Sequence, residues 1–248
     1  MEYLTLRNGK KLAFELSRNN SNSNSLAILV HGTCGHRNNL FFPALCKLEN
    51  INVLSFDLEG NGDSEGEFLF GGFMREVENV HEVVLYARSL GFNVISLIGH
   101  SKGGNTILIY STLYSDIPLL IVIAARYDMS ILPKFVDSII QEVEEKGSSI
   151  FFNGKKNFCI DKSGIEERRK LDMNKVLEDV SGKVAVIYGD RDGITSENDA
   201  HRIAELLGDK CFKKVLVQGS DHFFVDTMPL IIDMVGLVLD EFVNGPRI

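Results

Sequence analysis

Paired cysteines are missing from this chain. Cys34, Cys46, Cys159 and Cys211 stand far apart and none belongs to a CxxC pair, which speaks against a disulfide framework and a zinc site and for a reducing compartment. Positive charge is also in short supply: 26 Lys and Arg against 34 Asp and Glu give a formal net charge of -8. With the cations scattered, no basic field exists for a phosphate backbone, and nucleic acid is not an expected partner. No apolar run approaches the roughly 18 residues of a membrane helix. The opening MEYLTLRNGKKLAFEL is too polar for a secretory signal. The expectation is a cytoplasmic protein with no integral membrane segment. What is present is 248 residues with 44% hydrophobic content, enough for one large core, and no compositional break divides them. One domain over residues 1–248 is therefore expected.

The hydrophobic residues come in short uninterrupted runs: LAILV from Leu26, INVLSF from Ile51, VISLI from Val94, LLIVIA from Leu119, VAVIY from Val184 and KVLV from Lys214. Such runs suit strands buried on both faces of a parallel sheet. Ahead of them, Glu2 to Leu6 and Lys11 to Ser17 alternate in polarity around Asn8-Gly9, which predicts an antiparallel hairpin with a two-residue turn. Helical patterns fill the gaps. Phe73 to Leu90 carries Val77, Val80, Val84 and Ala87 on one stripe and stops at Gly91. Ser196 and Asp199 have capping-box spacing before a helix that ends at Gly208, and a last helix is expected over about Pro229 to Phe242. Alternation of this kind specifies a doubly wound α/β sheet with right-handed crossovers.

One stretch breaks the rhythm. About 50 residues, from about 128 to 180, separate two core strands where a crossover helix takes about a third of that. Within it SSIFFNGKKNFCI reads as a hairpin around Asn153-Gly154, flanked by charged helices. The expectation is a cap inserted over the carboxyl edge of the sheet. Its Phe135, Ile139, Ile150, Phe151, Phe152 and Phe158 either line an apolar pocket or form the cap's own small core.

Three glycines surround one serine in Gly99-His100-Ser101-Lys102-Gly103-Gly104, where a strand must turn into a helix. A serine attacks a carbonyl only if its hydroxyl is exposed beside a base and beside donors for the oxyanion. A tight strand-to-helix turn provides that exposure, and it requires neighbours without side chains two positions away. Gly99 and Gly103 occupy those positions. Three further segments fit the same chemistry. In LVHGTCG the backbone N–H of Thr33, with that of Lys102, would form an oxyanion hole, while His31 is expected to be structural. In VIYGDRDGI a strand ends in two acids; Asp192 lies farther into the loop and is preferred for orienting an imidazole, with Asp190 in reserve. In VQGSDHF, His222 follows both acids in a loop just after the last strand, giving the chain order Ser, Asp, His. His81 and His201 fall on helix faces and should be solvated, and His100 is too close to the serine to reach around to it.

Together the serine turn, HGTCG, FDLEGNGDSEGEF, YGDRDG and GSDHF resemble the serine α/β-hydrolases, in particular their cinnamoyl and feruloyl esterase-like branch and similar plant-type hydrolases. In the loop after a core strand, Asp57 is expected to be structural. The resemblance implies an α/β-hydrolase fold and catalysis by Ser101, Asp192 and His222, with oxyanion donors at Thr33 and Lys102. It implies no metal and no organic cofactor. The partner it implies is a small-molecule ester, cleaved through an acyl-enzyme. Thioesterase, monoacylglycerol lipase, peptidase and acyltransferase activity stay open, as does a receptor-like role with little turnover. Many relatives carry glutamine or methionine where this chain has Lys102, whose cation would either alter the field at the oxyanion or pair with an acid.

Overall fold

The computed structural model describes residues 2–245. In chain order the elements are β1 (Glu2–Thr5), β2 (Lys11–Ser17), β3 (Ser25–Val30), α1 (Phe42–Leu45), β4 (Asn52–Phe56), α2 (Phe73–Ser89), β5 (Asn93–His100), α3 (Lys102–Tyr114), β6 (Leu119–Ile123), α4 (Lys134–Asp137), α5 (Ile140–Lys146), β7 (Ser148–Phe152), β8 (Asn157–Asp161), α6 (Lys162–Lys170), α7 (Met173–Asp179), β9 (Lys183–Gly189), α8 (Glu197–Leu207), β10 (Cys211–Val217) and α9 (Met228–Asn244). Eight strands form one sheet in the order β1-β2-β4-β3-β5-β6-β9-β10. β2 pairs antiparallel with β1 and with β4, and every other pairing is parallel.

Strand periodicity splits the core in two. Leu26, Ile28 and Val30 face one side with Leu120, Val122, Val184 and Val186, where α2, α3, α7 and α8 cover them. Ala27, Leu29, Ile121, Ile123 and Ile187 face the other, under α1 and α9. Neighbouring side chains of a strand point to opposite faces, so an unbroken apolar run feeds both layers at once.

Two local expectations are corrected. The β1–β2 connection is not a two-residue turn. Leu6 N–H donates to Lys10 O (2.8 Å), Gly9 N–H donates to Leu6 O (2.9 Å), and Gly9 takes φ +83. This is a three-residue loop whose glycine supplies the left-handed conformation, with Asn8 Oδ1 accepting Lys10 N–H at 3.0 Å. Nor is the final run buried on both faces. β10 pairs only with β9 and forms the sheet's edge, which leaves Leu216 44% exposed.

The helix signals are found where the pattern put them. Ser196 and Asp199 make a reciprocal capping box at the start of α8, which ends at Gly208, and α2 ends ahead of Gly91 at φ +88. Between β6 and β9 the chain builds α4 to α7 and the separate β7–β8 hairpin, whose partners run from Ser148 opposite Asp161 to Phe152 opposite Asn157. A small apolar cluster of Val136, Val143, Ile160 and Ile165 closes around Phe70 from the loop before α2. Helix α7 instead packs Met173 and Leu177 onto the main core.

Candidate active site

The carboxyl ends of β3, β5, β9 and β10 deliver four loops to one place, as parallel sheets do. At the end of β5 the backbone of Ser101 takes φ 54, ψ -122, a conformation in which a residue with a side chain is strained. The turn is held by Ser101 N–H donating to Ile123 O (2.8 Å) and Gly104 N–H donating to Ser101 O (2.9 Å). A Cβ at Gly99 would run into the backbone of Gly103, and one at Gly103 into the carbonyls of Val30 and His31. Both flanking glycines are thus required by close backbone approach.

His222 Nε2 lies 3.0 Å from Ser101 Oγ, and His222 Nδ1 lies 2.8 Å from Asp192 Oδ2. With Nδ1–H donated to the carboxylate, Nε2 is left to accept the serine proton. Asp192 is itself anchored: its Oδ1 accepts the N–H groups of Ile194 (2.7 Å) and Thr195 (2.8 Å), and Oδ2 accepts the Thr195 hydroxyl (2.6 Å). Burial acts to raise its pKa, but the hydrogen bond and charge of His222 and the Thr195 and Ile194 donors outweigh it and hold the carboxyl below its ordinary range. Of the two acids after β9, Asp192 meets the imidazole; Asp190 Oδ1 accepts Gly219 N–H (2.6 Å) and pins the turn leading to His222.

Thr33 opens the turn after β3, closed by Gly35 N–H donating to Gly32 O (3.1 Å), and lines the same cavity as Ser101 and His222. Among the described residues neither Thr33 N–H nor Lys102 N–H has a protein acceptor. That of Lys102 belongs to the first turn of α3, where N–H groups have no intrahelical partner and carry the positive end of the helix dipole. The Lys102 side chain points elsewhere. It is buried, with Nζ 2.7 Å from Glu76 Oε1 on α2, 3.2 Å from Leu69 O and 4.7 Å from the centre of the Phe73 ring.

The other histidines sort as follows. His31 is buried, pairs Nδ1 with Gly32 O (2.9 Å), and accepts Leu58 N–H at Nε2 (3.0 Å), a satisfied neutral ring whose pKa burial lowers. Asp57 closes a buried ion pair with Arg37 and accepts the Arg37 and Asp63 N–H groups at 2.6 and 2.8 Å. His81 is half-buried, its ring stacked 3.8 Å from that of Tyr114, and His201 is exposed, its Nε2 3.1 Å from the Tyr188 hydroxyl. His100 had no expected role, yet its Nε2 lies 2.9 Å from the backbone oxygen of His222. Thr195 and Glu76 were likewise not singled out. The three-residue step from Asp192 to Thr195 is a local capping pattern that the sequence did display, whereas nothing near Lys102 in the chain signals Glu76.

A cavity of about 420 Å³ opens over Ser101, walled by Leu40, Phe42, Phe135, Phe151 and Ile194. Of the six apolar candidates between β6 and β9, Phe135 and Phe151 line this cavity with ring centres 4.3 Å apart, Phe158 is buried, and Ile139 packs on the small cluster. Ile150 and Phe152, at 57% and 60% exposure, face outward. Cys34 also lines the cavity, but burial pushes its thiol up to about 12, which keeps it protonated and a poor nucleophile. Among the described residues no group of three or more His, Cys, Asp or Glu side chains is placed to hold a metal ion, and no helix is long and apolar enough to cross a membrane.

Residues 21–157 match the model of a protein family described as serine aminopeptidase, S33. Among solved structures, Est1E from Butyrivibrio proteoclasticus with ferulic acid bound is similar at 20% identity over 98% of this chain and 99% of that one, with a TM-score of 0.79. The alpha/beta hydrolase domain-containing protein 10 from mouse is similar at 20% identity over 97% and 98%, with a TM-score of 0.71. The Pyrococcus furiosus esterase Pf2001 is similar at 15% identity over 97% and 91%, also at 0.71. At these identities the likeness is one of fold, the α/β-hydrolase fold. No curated protein matches the chain in sequence.

Proposed function

The chain belongs to the serine aminopeptidase (S33) family of α/β-hydrolases, and from that membership we propose that it is a serine carboxylesterase working through an acyl-enzyme. The observation that carries the proposal is the unbroken relay from Ser101 Oγ through His222 to Asp192, at 3.0 and 2.8 Å. His222 takes the proton of Ser101 as the hydroxyl attacks the ester carbonyl, and Asp192 stabilises the imidazolium that forms. The N–H groups of Thr33 and Lys102 receive the oxyanion, a contribution of about 3 kcal/mol for a well-placed donor. His222 then protonates the departing alcohol, and water repeats the sequence to release the acid.

The family's description favours a second reading, an aminopeptidase, and the cavity argues against it. An enzyme that selects a free amino terminus needs a carboxylate to receive the ammonium. Among the described residues lining the cavity over Ser101 there is no Asp or Glu, and the charged side chain there is Lys134. The apolar walls suit an acyl chain or aromatic ring. The residues between β6 and β9 act in this reading as the cap, with Phe135 and Phe151 selecting for size.

The test is hydrolysis of 4-nitrophenyl esters from acetate to long acyl chains by wild type and Ser101→Ala, together with the aminoacyl 4-nitroanilides. Turnover of esters that disappears in the variant is expected, with medium acyl groups favoured over acetate. Cleavage confined to the anilides would replace the proposal with the peptidase, and no Ser101-dependent turnover of either would remove both.

A further inference from the structure

Next to the cavity over Ser101 lies a second one, also about 420 Å³, and the two share Cys34, Gly35 and Asn153 as walls. The partition between them is one hydrogen bond thick: Asn153 Nδ2, at the tip of the β7–β8 hairpin, donates to Cys34 O at 3.0 Å. Thr33, the donor assigned to the oxyanion, therefore sits one residue from this second space.

The chemistry of the two spaces differs. Where the first has aliphatic and aromatic walls, the second is lined by His36, Asn38, Lys155 and Lys156. Its carboxylate, Asp63, is engaged 3.0 Å from Arg37, which also pairs with the buried Asp57. The ammonium groups of Lys155 and Lys156 meet no carboxylate among the described residues. Lys156 Nζ donates to Gly60 O at 3.0 Å, which sets its position and leaves two further N–H donors. The turn carrying both lysines is itself fixed, since Asn153 Oδ1 accepts the N–H groups of Lys155 (3.0 Å) and Lys156 (2.9 Å). His36 accepts Asn38 N–H at Nδ1 (3.2 Å), so its neutral ring carries its proton on Nε2 as a donor. On a chain of net charge -8 a grouping of donors and cations of this kind attracts an anion by contact rather than by a long-range field.

We propose that this second cavity is a subsite for an anionic group, a carboxylate or a phosphate, carried by the ester a few bonds from the carbonyl that Ser101 attacks. The substrate class is then an ester with an apolar acyl part and a charged terminus, and Lys155, Lys156 and His36 set that specificity. The proposal rests on the esterase assignment of the adjoining site.

Two matched pairs of esters test it: 1-butyrylglycerol against 1-butyrylglycerol 3-phosphate, with the charge on the alcohol, and 4-nitrophenyl butyrate against 4-nitrophenyl hydrogen glutarate, with the charge on the acyl group. In wild type the anionic member of at least one pair should have the higher kcat/KM by about tenfold, the scale of one charge-assisted hydrogen bond. That ratio should fall toward one in 0.5 M sodium chloride, as about a 4 Å Debye length implies, and in the Lys155→Ala/Lys156→Ala double variant. It should fall below one in Lys155→Glu. A ratio at or below one in both pairs, or a preference that the variants leave intact, overturns the subsite. Calorimetry with glycerol 3-phosphate and with glutarate decides the matter without turnover: binding by wild type that the double variant loses supports the subsite even if no ester is cleaved, and absence of binding together with absence of preference overturns it. Failure to cleave any of the four esters counts against the esterase assignment alone.

Discussion

The ring of His100 holds the backbone of His222: its Nε2 donates to the His222 carbonyl at 2.9 Å, with the two ring centres 5.0 Å apart. Burial, reinforced by the neighbouring His222, drives the His100 pKa down to about 3, so the donor stays neutral and in place wherever the enzyme works. In the proposed mechanism His100 is thus a positioning residue for His222. His100→Phe should lower kcat about tenfold while KM moves less than about twofold, since one buried hydrogen bond worth about 1–3 kcal/mol is lost and a carbonyl is orphaned. The acid limb of the kcat/KM profile should not shift, because a group titrating near 3 does not define it. Steady-state kinetics from pH 5 to 9 decides this.

The two acids after β9 differ by their partners. Asp192→Asn keeps the shape but deprives His222 of the charge that fixes its tautomer, and kcat should fall by about 10³–10⁴-fold. Asp190→Asn touches only the Gly219 N–H and should stay within about threefold of wild type. Equal losses in the two variants would contradict the assignment.

Asp192 also links stability to pH. Its folded-state pKa lies below the ordinary 3.8 of the free carboxylate. The folded state therefore binds this proton less readily than the unfolded chain, and the stabilisation is fully present above pH 3.8 and is lost as pH falls through the folded value. The margin in melting temperature of wild type over Asp192→Asn should therefore shrink as pH falls below about 4. A thermal melt series in buffers from pH 3 to 7 measures it.

The serine turn has a measurable strain. At φ 54, ψ -122 a Cβ is disfavoured by about 1–3 kcal/mol, which exceeds the roughly 1 kcal/mol by which glycine loses in chain entropy. Ser101→Gly and Ser101→Ala should both be inactive, and the glycine variant should melt higher, by about 2–4 °C for each kcal/mol gained. Calorimetric melts of the pair settle the order.

Lys102 and Glu76 form a buried pair with side-chain exposures of 2% and 11%, and Thr106 Oγ1 donates to the second Glu76 oxygen at 2.8 Å. Removing one partner leaves an uncompensated charge, so Lys102→Met should cost about 3–5 kcal/mol. Adding Glu76→Gln should restore more than half of that loss. Urea unfolding of the single and double variants gives the coupling.

What the sequence revealed follows from how local each signal is. Ser101, Gly99 and Gly103 are legible because one sharp turn forces all three types within five residues. Leu26–Val30 and Leu119–Ile123 are legible because strands covered on both faces tolerate no polar interruption. β10 shows the limit: Lys213, Lys214 and Leu216 belong to an edge, and edge position is a property of the whole sheet. The hairpin before it errs more narrowly, since Asn8-Gly9 serves a three-residue loop as well as a two-residue one. Lys102 with Glu76, and His100 with the carbonyl of His222, join residues 26 and 122 apart in the chain, and no periodicity carries such information.

The exposed flank of β10 presents unpaired backbone groups to solvent, the kind of template on which a strand from another molecule can align. Lys213 and Lys214 lie in that strand, the first held 2.6 Å from Glu241 of α9 and the second opposite Val186 of β9. In two adjacent copies of this edge the Lys214 ammonium groups would be the like charges left to repel, at about 1 kcal/mol per close contact in water, since the Lys213 charge is met by Glu241. A lysine that breaks the apolar pattern of the last strand is thus also a charge that disfavours edge-to-edge pairing there.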